Sequence, residues 1–280
     1  MCKLIVHADD FGLSEKINEG IIQAHIHGIL TSTSIMANGR AFEHAVELCQ
    51  STPTLDVGIH LTLVGEQPLL NPGQIPSLVD NTGKFDHHAT EFTKRYLLGK
   101  IYLPEVRREL EAQIEKVLSF GLSISHLDSH QHLHILPQIL NITVDLAKKY
   151  NIRAIRFPCE NLYVDMLRAQ VSPSRILQSL VLKFLCFRGR NANIWRTDHF
   201  SGFLFGGNLN KQNLQKIIEC LPRHGTCELM CHPGLDDPNT RYNHWGYRWS
   251  DELNALIDPD ISNLIDHKGI HLTSYRLLID

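Results

Sequence analysis

A chain of 280 residues that is 43% hydrophobic and 20% charged is long enough to bury a large α/β core. Its formal net charge of -3 excludes a general attraction to nucleic acid, and no apolar run is long enough to suggest a bilayer-spanning helix. The seven cysteines are scattered without a CxxC, so reduced and mostly buried thiols are expected rather than a disulfide framework. The N-terminus enters a strand pattern at Lys3 to Val6 with no charged leader and cleavage site, from which cytoplasmic residence is expected.

Lys3 to Ala8 is an apolar run opening into Asp9-Asp10-Phe11-Gly12, which predicts a buried strand and a loop. Ser14 caps an amphipathic helix carrying Ile17, Gly20, Ile21 and Ala24, and Gly28 ends it. A second strand over Leu30 to Ala37, a helix over 41–50 and a third strand over Leu55 to Leu63 complete a βαβαβ order, the mark of a parallel sheet. Residues 64–88 contain Gly65, Pro68, Pro72, Gly73, Pro76 and Gly83, a long loop of the kind that serves as a lid or binding wall.

Helices are predicted at 89–98 and at Pro104 to Phe120, then a fourth strand at Ser123 to Leu127, a helix at Leu136 to Tyr150, and a strand at Arg153 to Phe157. The stretch 159–210 is the least regular. Within it, Ser174 to Phe187 is a strongly apolar helix edged by Arg175, Lys183, Arg188 and Arg190, suited to a core, a dimer interface or a membrane surface. A helix at Lys211 to Cys220, a strand at 226–230, helices at 251–257 and 260–267 and a last strand at 270–275 follow. Cys227 and Cys231 are read as packing residues of that strand region rather than metal ligands. The economical reading is one domain over 1–280, irregular at about 159–210: an α/β fold, a modified (β/α) barrel of about seven or eight strands.

Three of these strands end in ionisable residues: Val6-His7-Ala8-Asp9-Asp10, Val57-Gly58-Ile59-His60, and His126-Leu127-Asp128-Ser129-His130. In a parallel sheet such ends share one rim, and strand alternation puts His126, Asp128 and His130 on one face. A carboxylate and two imidazoles arriving there give three protein ligands with open positions for water, the pattern of a catalytic metal site. If one of Asp9 and Asp10 binds the ion, its neighbour stays ionised within reach of the bound water and can act as base. Arg156, at another strand end, is suited to holding that carboxylate or a substrate oxygen, or to a structural ion pair. His232, in Cys231-His232-Pro233-Gly234, ends a strand and is suited to a general acid.

HADDFGLS, INEGI, TSTS, GIHLTL, HLDSHQHLH and CHPG, in that order and spacing, resemble the YdjC-like carbohydrate deacetylases, which include chitooligosaccharide deacetylases. The likeness is continuous from Ile5 to about Phe157 and returns at 226–234. It implies a distorted (β/α) TIM-like barrel with mostly parallel strands, often a homodimer, and one divalent ion, magnesium or zinc. It further implies metal binding by Asp10, His60 and His130, with Asp9 as base and His232 as acid. Residues 160–210 look closer to a hopanoid-biosynthesis-associated branch, whose resemblance implies deacetylation of a glycosylated lipid.

The expected activity is metal-dependent hydrolysis of the N-acetyl group of an amino-sugar substrate, an oligosaccharide or a glycolipid, with Arg156 as a substrate-binding residue and a peripheral membrane contact through 174–187. The alternatives are another metal-dependent hydrolase such as a phosphoesterase, whose two-metal centres also use histidine-rich strand ends, and a non-catalytic glycan- or lipid-binding protein on the same fold.

Overall fold

The computed structural model describes residues 1–161, 171–238 and 240–279. Part of the irregular stretch, 162–170, lies outside them. Eight strands form one sheet in the order β5-β4-β3-β2-β1-β7-β6, with β8 also beside β1. They are β1 (Cys2–Phe11), β2 (Ser32–Ile35), β3 (Asp56–Leu61), β4 (Ile124–Ser129), β5 (Ala154–Ile155), β6 (His199–Ser201), β7 (Gly225–Cys231) and β8 (His271–Thr273). Every pairing in the sheet is parallel. The sheet curls until its edges meet through isolated parallel bridges, Ala154 with Trp195 and Glu160 with Phe200. The result is a distorted TIM-like barrel.

Among the described residues the helices are α1 (Glu15–His27), α2 (Phe42–Ser51), α3 (Ala89–Leu97), α4 (Leu103–Ser119), α5 (Pro137–Lys149), α6 (Pro173–Arg188), α7 (Lys211–Cys220), α8 (Trp249–Leu256), α9 (Pro259–His267) and α10 (Tyr275–Ile279). Leu4, Val6 and Ala8 of β1, Val57 and Ile59 of β3 and Leu127 of β4 are all buried, as strands covered on both faces require. The Ser14 hydroxyl accepts from the Ile17 N–H at 3.3 Å and caps α1. Within α1, Gly20 lies against Gly234: a Cβ on Gly20 would stand 2.4 Å from the Gly234 Cα. Two glycines thus let α1 press directly on the loop that carries His232.

Two expectations change. The 64–88 loop is neither lid nor binding wall over most of its length. The Glu109 carboxylate accepts from the N–H groups of Leu69 and Leu70, and Glu105 from that of Ser77. With Ile75, Leu78 and Phe85 buried as well, the loop is pinned to α4. The 159–210 stretch contains a barrel strand, β6; three residues are too short a run to show period-two alternation.

Candidate active site

The cavity at the carboxyl rim has a volume of about 1200 Å³ and is lined by Asp9, Asp10, His60, His130 and His232 among others. Side chains from β1, β3 and the turns after β4 and β7 therefore converge, although up to 223 positions separate them in the sequence, Asp9 to His232. Arg156 does not line it.

Adjacent residues of a regular strand point to opposite faces, yet Asp9 and Asp10 both reach the cavity. The register of β1 against β2 explains this: His7 and Ala8 pair with Ser32 and Thr33, but the next partner of Ile35 is Phe11. The extra residue is a bulge, and Asp10 adopts a left-handed φ of 65° within it. Non-glycine residues hold such a backbone only where their surroundings enforce it.

The nitrogens of two histidines approach one oxygen of Asp10: His130 Nδ1 lies 3.0 Å and His60 Nε2 3.4 Å from Oδ1. The His60 Nδ1 donates to Asp128 Oδ1 at 2.9 Å, and the Ser34 hydroxyl donates to Asp128 Oδ2, also at 2.9 Å. Asp128 thereby fixes the His60 tautomer and turns Nε2 toward Asp10, the arrangement that carboxylates impose on metal-binding imidazoles. Burial alone would lower the His60 pKa, but Asp128 and Asp9 outweigh it and push it up to about 10. Burial opposes ionisation of Asp10 too, and the two histidines hold its carboxyl well below the usual range.

Beneath this cage lies Arg156, fully buried. Its Nη1 and Nη2 donate to the two oxygens of Asp9 at 2.9 and 2.8 Å. Nη1 also pairs with Asp128 Oδ2 at 2.8 Å, and Nε donates to Glu228 Oε1 at 2.7 Å. Tyr275 donates its hydroxyl to the other Glu228 oxygen. Burial penalises the Asp9 carboxylate, yet the guanidinium beside it keeps that carboxyl well below its ordinary range. Of the roles expected for Arg156, the geometry shows the grip on Asp9 together with structural ion pairs to Asp128 and Glu228; substrate contact is corrected, because the guanidinium is fully buried and does not line the cavity.

Asp9, Asp128 and Glu228 are buried against this single guanidinium, and Asp10 is buried beside His60 and His130. The carboxylates outnumber the cation, and ligand atoms of Asp10, His60 and His130 all lie within 4.8 Å of one another. That excess of negative charge, with two oriented imidazoles, fits a divalent metal. A second group, His7, His126 and Asp128, has comparable spacing. There, however, His7 Nε2 and His126 Nε2 bond each other at 2.8 Å and Arg156 Nη2 donates to His7 Nδ1, so its nitrogens are already engaged. His126 is stacked on Tyr275 at 3.9 Å, and burial holds it neutral.

His232 follows β7, and its N–H donates to Glu252. Its Nδ1 is buried and has no hydrogen-bond partner among the described residues. Glu252 itself is fully buried, which raises its pKa. Other histidines of the β4 cluster differ in fate. His134 bonds Ser129 and the Arg156 carbonyl, latching the turn after β4 onto β5. His132 lines the cavity, turned inward by left-handed backbone at Gln131 and itself. The sequence reading did not single out Ser34, Glu228, Tyr275, Glu252 or His132. For Ser34 the TSTS run on a buried strand was the available signal; a buried Glu inside the apolar β7 was the signal for Glu228.

A family model described as YdjC-like protein matches residues 3–267. A carbohydrate deacetylase of Brevibacillus brevis is 32% identical over 99% of both chains. A chitooligosaccharide deacetylase of Yersinia enterocolitica is 33% identical over 97% of both. A solved structure from Enterococcus faecalis, assigned provisionally to cellobiose-phosphate cleavage, superposes with a TM-score of 0.78 at 28% identity, covering 99% of this chain and 98% of that one.

Proposed function

The chain belongs to the YdjC-like family, and on that premise we propose that it is a metal-dependent deacetylase that hydrolyses the N-acetyl group of an amino-sugar substrate. The observation that supports this most is the pairing of a three-ligand cage, Asp10 with His60 and His130, with an adjacent ionised carboxylate, Asp9, in one cavity. A divalent ion held by Asp10, His60 and His130 would polarise the acetamide carbonyl and acidify water at the site. Donor chemistry favours zinc over magnesium, which prefers all-oxygen surroundings.

Asp9 serves as the base. Arg156 holds it ionised and oriented by a two-point grip, so it takes a proton from the water as that water attacks the carbonyl carbon. His232 delivers a proton to the departing amine, without which the C–N bond would have to expel an amide anion. Glu252 accepts from the His232 backbone N–H and so anchors the turn that carries the imidazole. The cavity, at about 1200 Å³, accommodates a sugar with room for a further residue or aglycone.

The test is acetate release from N,N′-diacetylchitobiose, free N-acetylglucosamine and an N-acetylglucosaminyl lipid, run with zinc or magnesium. Acetate from at least one of them, lost in Asp9→Asn with the ion retained, supports the assignment. Phosphatase activity with two tightly held ions and no acetate would replace it with a phosphoesterase, and binding without turnover under either metal with a glycan-binding protein.

A further inference from the structure

Part of the wall of the catalytic cavity is apolar, among polar side chains such as Thr93, Lys94, Ser174 and Gln178. Helix α6 supplies Leu177, Val181, Leu182 and Leu185 to its lining, and the last residue of α3 and the one after it supply Leu97 and Leu98. Leu97 is 75% exposed, and Leu177 64%. On α6 the exposed apolar positions are 177, 180, 181, 184 and 187. Steps of three and four residues place them in one stripe, while Ser179 and Cys186 on the other side are buried. Leu177 and Val181 belong to both the stripe and the cavity wall, so apolar surface runs unbroken from inside the pocket onto the outside of the molecule.

Charge accompanies this stripe. Residues 171–197 include Arg175, Lys183, Arg188, Arg190 and Arg196 and contain no Asp or Glu, on a chain whose net charge is -3. Among the described residues none of the five forms a direct ion pair with a carboxylate, and only Arg175 acts electrostatically on one, the buried Glu160. Arg175 and Arg196 donate to backbone carbonyls, Lys183 to the Asn161 amide oxygen, and Arg190 stacks over Phe187. An apolar stripe bordered by cations that form no ion pair with a carboxylate among the described residues is complementary to one kind of surface: hydrocarbon beneath anionic headgroups.

We propose that the outer stripe of α6, with the leucines ending α3, docks on an anionic lipid bilayer, so that the mouth of the catalytic cavity opens onto the membrane. No helix among the described residues is long and apolar enough to cross a bilayer, so the contact is peripheral. The docking stands on the surface itself; only its service to catalysis rests on the deacetylase reading. In that service, an amphiphilic amino sugar reaches the cage without its apolar part crossing water.

Vesicle co-sedimentation tests this without reference to turnover. Vesicles of phosphatidylcholine with phosphatidylglycerol should bind the wild-type protein, and vesicles of phosphatidylcholine alone should bind it about tenfold or more weakly, a difference that raised salt removes. Leu180→Glu/Phe184→Glu alters the stripe at two positions that do not line the cavity. It should reduce vesicle binding about tenfold or more and leave acetate release from diacetylchitobiose unchanged. Arg188→Glu/Arg190→Glu should erase the preference for phosphatidylglycerol. Wild-type protein that stays in the supernatant with both vesicles at low salt overturns the proposal. So does a wild-type dimer that Leu180→Glu/Phe184→Glu converts to monomer, because a second copy would then cover the stripe. Vesicle binding with no acetate from any substrate leaves the docking standing and removes the deacetylase reading.

Discussion

Removing the guanidinium of Arg156 tests the architecture at its centre. Arg156, Asp128 and Glu228 are 0% exposed and Asp9 is 4% exposed, so Arg156→Met leaves three carboxylates buried without their shared cation. Breaking a buried ion pair by deleting one partner costs about 3–5 kcal/mol. Proton uptake by the stranded carboxylates caps the loss, which we place at about 5 kcal/mol. At roughly 2–4 °C per kcal/mol for a chain of this size, the unfolding temperature should fall by about 10–20 °C. Arg156→Lys separates charge from geometry. A single ammonium cannot meet Glu228, Asp9 and Asp128 at once as the planar fork does. It should recover part of the stability, yet lower kcat for acetate release with little change in KM, because Asp9 loses its two-point grip. Calorimetry with and without chelator, alongside acetate kinetics, reads both variants. An Arg156→Met protein that unfolds within about 2 °C of wild type would refute the view that these pairings carry net energetic weight.

His60→Ala should abolish both stoichiometric metal content and turnover, measured by elemental analysis and acetate release, whereas Asp9→Asn should lose turnover alone. Gly58→Ala would place a Cβ 2.4 Å from the His126 ring; that ring, stacked on Tyr275, has little room to yield, so denaturant unfolding should show a loss of about 1–3 kcal/mol. Gly20→Ala would drive α1 against Gly234 and displace His232, lowering kcat more than metal affinity in paired turnover and metal titrations. Glu160, which burial pushes up to about 7, has a folded pKa above its unfolded value. Its contribution is fully present below about pH 4.5 and is lost as pH rises through about 7, amounting to about 3 kcal/mol. Glu160→Gln should flatten the denaturation midpoint across that interval, and an unchanged slope would show that Glu160 does not titrate there.

Much of the site was legible because buried parallel strands must end at a common rim. The apolar runs before Asp9, His60 and Asp128 announced themselves, and their last residues had only one edge to occupy. The fate of Asp9 and Asp10 was not legible. Strand alternation sends neighbours to opposite faces, and only the bulge at Asp10 defeats that rule. The role of Arg156 was open for a similar reason. An arginine at a strand end can face a ligand or a carboxylate, and Glu228, the partner that draws it under the floor, lies 72 residues away. The 64–88 loop misled because its proline and glycine content reports only irregular backbone; the carboxylates that pin it sit on α4, beyond any local pattern.

The sequence by itself determined the succession of parallel strands along the chain except β6, and the kinds of donor delivered to their ends, since each follows from local periodicity and from side-chain chemistry. The closed arrangement alone decided which nitrogen of His60 faces Asp10, which carboxylate Arg156 grips and how far apolar surface extends out of the cavity along α6. Those are properties of distance and burial between remote segments, and the balance between desolvation and pairing that governs each buried charge exists only once the segments have met.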